Sequence, residues 1–158
     1  MTLNSSDACE FIRMNANRST DVPGSTVDFV DKELSYTIVG AFFEVYNKLG
    51  YGFLESIYSR ALEVALRRRN VLVEREVPMV VYFDGVEVGH HRADMLIERR
   101  VIIELKATDR LPWITQRQVR NYLAALNLRL GLILHFGPSA HIYRVLRPRS
   151  SNDHGAIR

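Results

Sequence analysis

RADMLIERRVIIELK, residues 92–106, sets two apolar runs on either side of a charged turn. Met95, Leu96 and Ile97 form one apolar run, Glu98-Arg99-Arg100 a charged turn, and Val101, Ile102 and Ile103 a second run. The pattern predicts two short strands joined as a hairpin. Side chains alternate across a strand, so Glu104 and Lys106 share one face while Ile103 and Leu105 take the other. Asp94, on the neighbouring strand, can sit beside that pair. Ionisable groups lose their hydration in apolar surroundings, so three of them set into such runs call for a reason. Two carboxylates and an ammonium together form a place to hold a divalent cation and a phosphate.

Outward from that hairpin the chain alternates helical and strand-like periods. An apolar face (Leu34, Ile38, Ala41, Phe42, Val45, Leu49) at three- and four-residue spacing predicts a helix beginning near residue 28 and ending at Gly50. Gly50-Tyr51-Gly52 is a turn, and 54–69 repeats the helical period. Residues 72–83 read as a strand in which Pro78 marks an edge or a bulge. Asp84-Gly85 is a hairpin turn, and 86–97 the returning strand. The third strand spans 101–107. A helix over 115–126 follows Pro112. Residues 130–136 (LGLILHF) form an apolar central strand, and 142–146 a last short one. Two hairpins and a helical crossover predict an α/β fold: a mixed sheet flanked by helices in the order α-α-β-β-β-α-β-β. Residues 1–27 read as a flexible leader, 28–148 as a single domain, and 149–158 as a polar tail.

Composition narrows the class. The 158 residues are 47% hydrophobic and 25% charged, as in ordinary globular domains. One cysteine, Cys9, excludes an intrachain disulfide framework. No run approaches the roughly 20 apolar residues of a membrane helix, and the first residues lack the apolar core of a signal peptide. These features predict a cytoplasmic protein with no membrane partner. Residues 99–149 hold ten Lys/Arg against two acids, net +8, whereas residues 1–98 hold ten against fifteen, net −5. A basic half suits a polyanion such as nucleic acid, although a solvated surface would look the same.

Asp94 and, ten positions on, Glu104-Leu105-Lys106 make a D…ExK pattern. Mg²⁺ takes oxygen ligands, keeps several waters and typically uses one or two carboxylates. Asp94 and Glu104 supply these, and the Leu105 carbonyl adds a third oxygen. Lys106 can orient a water or stabilise charge on a pentacoordinate phosphorus. Spacing alone does not make the pattern specific, because Glu104 and Lys106 could equally be a half-exposed ion pair of little worth. Glu55 opens the second helix, where the dipole favours a carboxylate. It shares a face with Tyr58 and Leu62, which turns it partly inward. Gln118 and Tyr122, four apart, also share a face.

Gly52-Phe53-Leu54-Glu55-Ser56-Ile57-Tyr58 fits a G-x-x-E-x-x-Y signature. With Arg92-Ala93-Asp94, Ile103-Glu104-Leu105-Lys106-Ala107, Gln118…Asn121-Tyr122-Leu123, and 130–137 in the same order, the chain resembles the GxxExxY family of the PD-(D/E)XK nuclease superfamily. The resemblance covers roughly 34–146. It implies a restriction-endonuclease-like core and a nuclease dependent on Mg²⁺ or Mn²⁺. By position, Glu55 matches the helical acid, Asp94 and Glu104 the metal carboxylates, and Lys106 the catalytic lysine. Gln118 and Tyr122 match a Q-x-x-x-Y element lining the substrate side. Relatives commonly read E-V-H in the first helix, where this chain has Glu44-Val45-Tyr46.

No P-loop or G-x-S-x-G pattern is present. His90-His91 is not a zinc spacing, and its rings diverge on a strand. His135, inside an apolar strand, reads as a satisfied core residue. The expected activity is phosphodiester hydrolysis in DNA, with Asp94, Glu104, Leu105 and Glu55 around the metal and no small-molecule cofactor. The alternative is a catalytically weak or inactive nuclease-fold module that binds nucleic acid or a protein. A third option is a structural subunit whose charges form an ion-pair network. Homo-oligomerisation stays open.

Overall fold

Five strands hydrogen-bond side by side in chain order: β1 (Val73–Phe83), β2 (Val86–Ile97), β3 (Val101–Lys106), β4 (Leu130–Phe136) and β5 (Ala140–Leu146). The β1–β2, β2–β3 and β4–β5 pairs are antiparallel, and β3–β4 is parallel. The structure is a computed structural model and describes residues 31–147. The expected leader and tail lie outside the described residues. Among those described, no helix is long and apolar enough to cross a membrane.

The mixed sheet expected from the sequence is present. Helices α1 (Lys32–Leu49) and α2 (Glu55–Arg67) cover one face, and α3 (Thr115–Ala125), the crossover between β3 and β4, covers the other. Pro78 lies on the edge strand β1. β4 is an interior strand beside the edge strand β5, and every one of its residues is buried. β5 starts at Ala140 rather than 142, because Phe136 and Ala140 already pair across the turn and pairing needs no apolar side chain.

Alternation along β3 sorts the two layers. Val101, Ile103 and Leu105 join the α1/α2 core, while Ile102 joins the α3 core. Glu104 and Lys106 therefore belong to the α3 face, as the sequence requires. Phe136 closes the first core by stacking on Tyr58 at 4.1 Å and meeting Phe42 edge-on at 4.7 Å.

The β1–β2 hairpin changes face part way along. Val73 and Met95 lie in the α1/α2 core, yet Met79 and Ala93 lie in the α3 core. An odd-numbered set can serve both layers only if the alternation breaks between them. It breaks at Glu76, held at φ 54°, opposite Asp94; pairing is kept at Arg75↔Met95 and Val77↔Ala93 on either side. A non-glycine residue in this region is uncommon, and nothing in the sequence marks it.

The seating of α3 on the sheet depends on Gly131. A Cβ there would meet Val119 Cγ1 at 2.5 Å, too close for two packed carbons. Gly131→Ala is expected to destabilise the fold by about 1–3 kcal/mol, as overpacking does. Val119→Ala in the same chain should cost less than it does alone, because it vacates the space the new methyl needs. Urea unfolding of the two single variants and the double variant measures the coupling.

Candidate functional site

The β2–β3 ladder pairs Ile97↔Val101, Leu96↔Ile102 and Met95↔Ile103, and stops there. The next residues in register are Asp94 and Glu104. In place of further backbone pairing, Asp94 Oδ2 accepts the Leu105 N–H at 2.7 Å. A carboxylate thus takes over a strand's ladder bond where the two strands part, which leaves Asp94 and Glu104 side by side. Lys106, two residues along the same face, donates from Nζ to Glu104 Oε1 at 2.7 Å.

Glu55 arrives from the other layer. It is the first residue of α2, and its Oε1 accepts the Ala107 N–H at 3.2 Å, just past the end of β3. What fixes that helix start is the G-x-x-E-x-x-Y stretch itself. Tyr58 Oη donates to the Gly50 carbonyl at 2.8 Å and accepts the Phe53 N–H at 3.2 Å. Gly50 and Gly52 have φ of 70° and 105°, conformations that favour glycine. The turn, the tyrosine and the acid are therefore one unit: the glycines bend the chain, and Tyr58 pins the bend one turn below Glu55.

Charge in this cluster is strained. Burial holds the Asp94 carboxyl above its ordinary range, against the Leu105 N–H bond and the Lys106 charge that pull it down. Burial, then the Asp94 charge, pushes Glu104 up to about 7, although Lys106 opposes this. For Lys106 burial works downward, but the bond to Glu104 and the charges of Glu104, Glu55 and Asp94 outweigh it and raise the ammonium. Glu104 Oε2 is buried and has no partner among the described residues.

Those features fit a divalent cation. An orphaned carboxylate oxygen and two acids that oppose each other's ionisation would both be relieved by one positive ion. Two carboxylates plus water is an ordinary oxygen set for Mg²⁺. Among the described residues no three Asp, Glu, His or Cys side chains form a group that could hold an ion. Glu55 joins Asp94 and Glu104 through its charge, while its Oε1 accepts the N–H of Ala107.

The α3 side is polar. Gln118 Nε2 donates to Tyr122 Oη, and that hydroxyl meets His91 Nδ1 at 2.9 Å. Tyr122 is buried, with its hydroxyl under the influence of Glu104, Lys106 and Asp94. The pairing of Gln118 with Tyr122 follows from their four-residue spacing. His91 was not legible: it lies on β2 three residues before Asp94, and only the fold brings it under α3. His90 instead pairs with Glu87, so the two rings do diverge. His135 is buried, but its Nε2 alone is bonded, to the Thr108 carbonyl at 2.6 Å; its Nδ1 has no partner among the described residues. Tyr46 donates to the carbonyls of Gly137 and Pro138 and ties α1 to the β4–β5 turn.

Part of the basic half is neutralised. Arg99 pairs with Glu74 and Arg100 with Asp31. Arg110, Arg117 and Arg120, around the start of α3, are exposed and form no ion pair among the described residues.

The model of the PD-(D/E)XK nuclease superfamily matches residues 32–145, and the chain belongs to that superfamily. It has no match among curated proteins. Among solved structures it is similar to one described as the crystal structure of SSO0001, at 20% identity and a TM-score of 0.49, over 94% of this chain and 68% of the other.

Between about pH 4.5 and 7 the folded chain keeps a proton on Glu104 that the unfolded chain has lost. The unfolded state binds fewer protons there, so stability falls as the pH rises through that window. Metal-free protein should lose on the order of 2–3 kcal/mol across it. Glu104→Gln should flatten most of that slope, as read by urea midpoints at stepped pH.

Proposed function

We propose that this chain is a metal-dependent nuclease of the GxxExxY type that hydrolyses phosphodiester bonds in DNA, acting in the cytoplasm. The observation that carries the reading is the Asp94–Glu104–Lys106 cluster, with its unsatisfied Glu104 oxygen at the point where β2 and β3 part. Asp94 and Glu104 would hold Mg²⁺ or Mn²⁺, with the Leu105 carbonyl as a further oxygen and Glu55 supporting the site through its charge. A cation held there would polarise a phosphoryl oxygen and acidify a water. Lys106 orients that water or stabilises the charge that builds on the phosphorus. Gln118 and Tyr122 line the substrate side. Arg110, Arg117 and Arg120 supply unpaired positive charge for the backbone of a nucleic acid. Residues 28–148 constitute the catalytic domain, with the leader and the tail outside it.

One observation favours the second reading, a nuclease-fold module that binds nucleic acid or a protein partner with little or no cleavage. The hydroxyl of Tyr46, at the position where relatives commonly have His, is spent on two backbone carbonyls. Incubation of purified protein with single- and double-stranded DNA and Mg²⁺ or Mn²⁺ separates the two. The nuclease reading expects cleavage that stops with chelator and falls at least about 100-fold in Glu104→Ala and Lys106→Ala. Equal rates in wild type and both variants would point to a contaminant. Chelator-insensitive binding without cleavage would select the second reading.

A further inference from the structure

His91 is the one side chain joined to the site network that the nuclease reading leaves without a task. Gln118 donates its amide hydrogen to Tyr122 Oη, which leaves the phenol hydrogen free for another acceptor. The atom it meets is His91 Nδ1, at 2.9 Å. With Tyr122 Oη as the donor, Nδ1 is the acceptor and the imidazole hydrogen lies on Nε2. The ring is exposed, and Nε2 has no partner among the described residues. The orientation is fixed from behind: Val119 and Tyr122 pack in the α3 core, and the phenol lies against the imidazole at 5.2 Å between ring centres. Two buried or half-buried polar side chains thus hold one exposed ring and aim a hydrogen-bond donor outward.

The location says what that donor meets. His91 stands on β2 three residues before Asp94, about 10 Å along an extended strand. That is too far for a phosphate held at the proposed Asp94–Glu104 cation site, and near enough for one beside it on the same polymer. On this basis, which rests on the nuclease reading, we propose that His91 is a substrate-binding residue. Its Nε2–H donates to a non-bridging oxygen of a phosphate flanking the scissile one, and Gln118 and Tyr122 are the positioning residues that set its tautomer and aim. Phosphate contacts of this kind place a strand in register without reading its sequence.

Two amide substitutions separate this role from mere support of Tyr122. Asn keeps an acceptor near the place of Nδ1 and loses the distal donor. Gln carries an amide donor out toward Nε2 and loses the near acceptor. Binding of a labelled single-stranded oligodeoxynucleotide to the full chain, followed by fluorescence anisotropy without divalent metal, reads both. His91→Asn and His91→Ala are expected to weaken binding about tenfold or more, and His91→Gln to recover most of it. In cleavage assays His91→Asn should raise KM and leave kcat within about threefold, as loss of a uniform contact does. The proposal is overturned if His91→Asn binds as wild type, or if His91→Gln is as weak as His91→Ala. Wild type that binds but never cuts would sink the nuclease reading while the binding series still decides His91. Wild type that does not bind the oligonucleotide overturns the role given to His91, while cleavage with divalent metal decides the nuclease reading separately.

Discussion

A single carboxylate–amide bond organises this molecule. Asp94 accepts the Leu105 N–H where the β2–β3 ladder would otherwise have continued. Backbone donors in a buried strand must find an acceptor, and here a side chain supplies it. The cost is a carboxylate held in apolar surroundings and raised above its ordinary range. The gain is that two strands can part without orphaning the amide, and the gap between them is where the acids and the lysine sit. The face change at Glu76, directly across β1–β2 from Asp94, belongs to the same constraint. Ala93 and Met95 go to opposite layers, and Asp94 is left at the crossing point between them.

The other side of the site is held by separate means. The Gly50–Gly52 turn and Tyr58 fix the start of α2, and Glu55 reaches from there to the end of β3. Gly131 lets α3 settle against β4, which brings Tyr122 over the sheet. Three independent contacts, from α2, from the parting strands and from α3, thus converge on one end of β3. Each rests on local packing that would exist with or without catalysis. The acid cluster does not: Glu104 and Asp94 disfavour each other's charge, and Lys106 offsets only part of that. A buried pair left in that state costs stability. The proposed cation would remove that cost.

Much of this was legible in the sequence. The hairpins announced themselves through Asp84-Gly85 and Glu98-Arg99-Arg100, and the period of two placed Glu104 and Lys106 on one face. The period of 3.6 joined Gln118 to Tyr122. What could not be read came from long-range geometry. Glu76 has no glycine or proline to betray its backbone, so the face change was hidden. Glu55 Oε1 meets a backbone amide fifty-two residues away, a contact no local pattern marks. His91 looked like half of an uninformative His-His pair, because only the packing of α3 reveals its partner. His135 is bonded at one nitrogen and not at the other, which an apolar run cannot disclose.

If Asp94 and Glu104 together hold one cation, as proposed, the proton on Glu104 is displaced when the ion arrives. Calorimetric titration with Mn²⁺ near pH 6, in buffers of different ionisation enthalpy, measures affinity and proton release together. With Glu104 titrating at about 7, the account predicts one site per chain, release of close to one proton per ion, and loss of binding in Asp94→Asn. Binding with no proton released, or with unchanged affinity in Asp94→Asn, would contradict it.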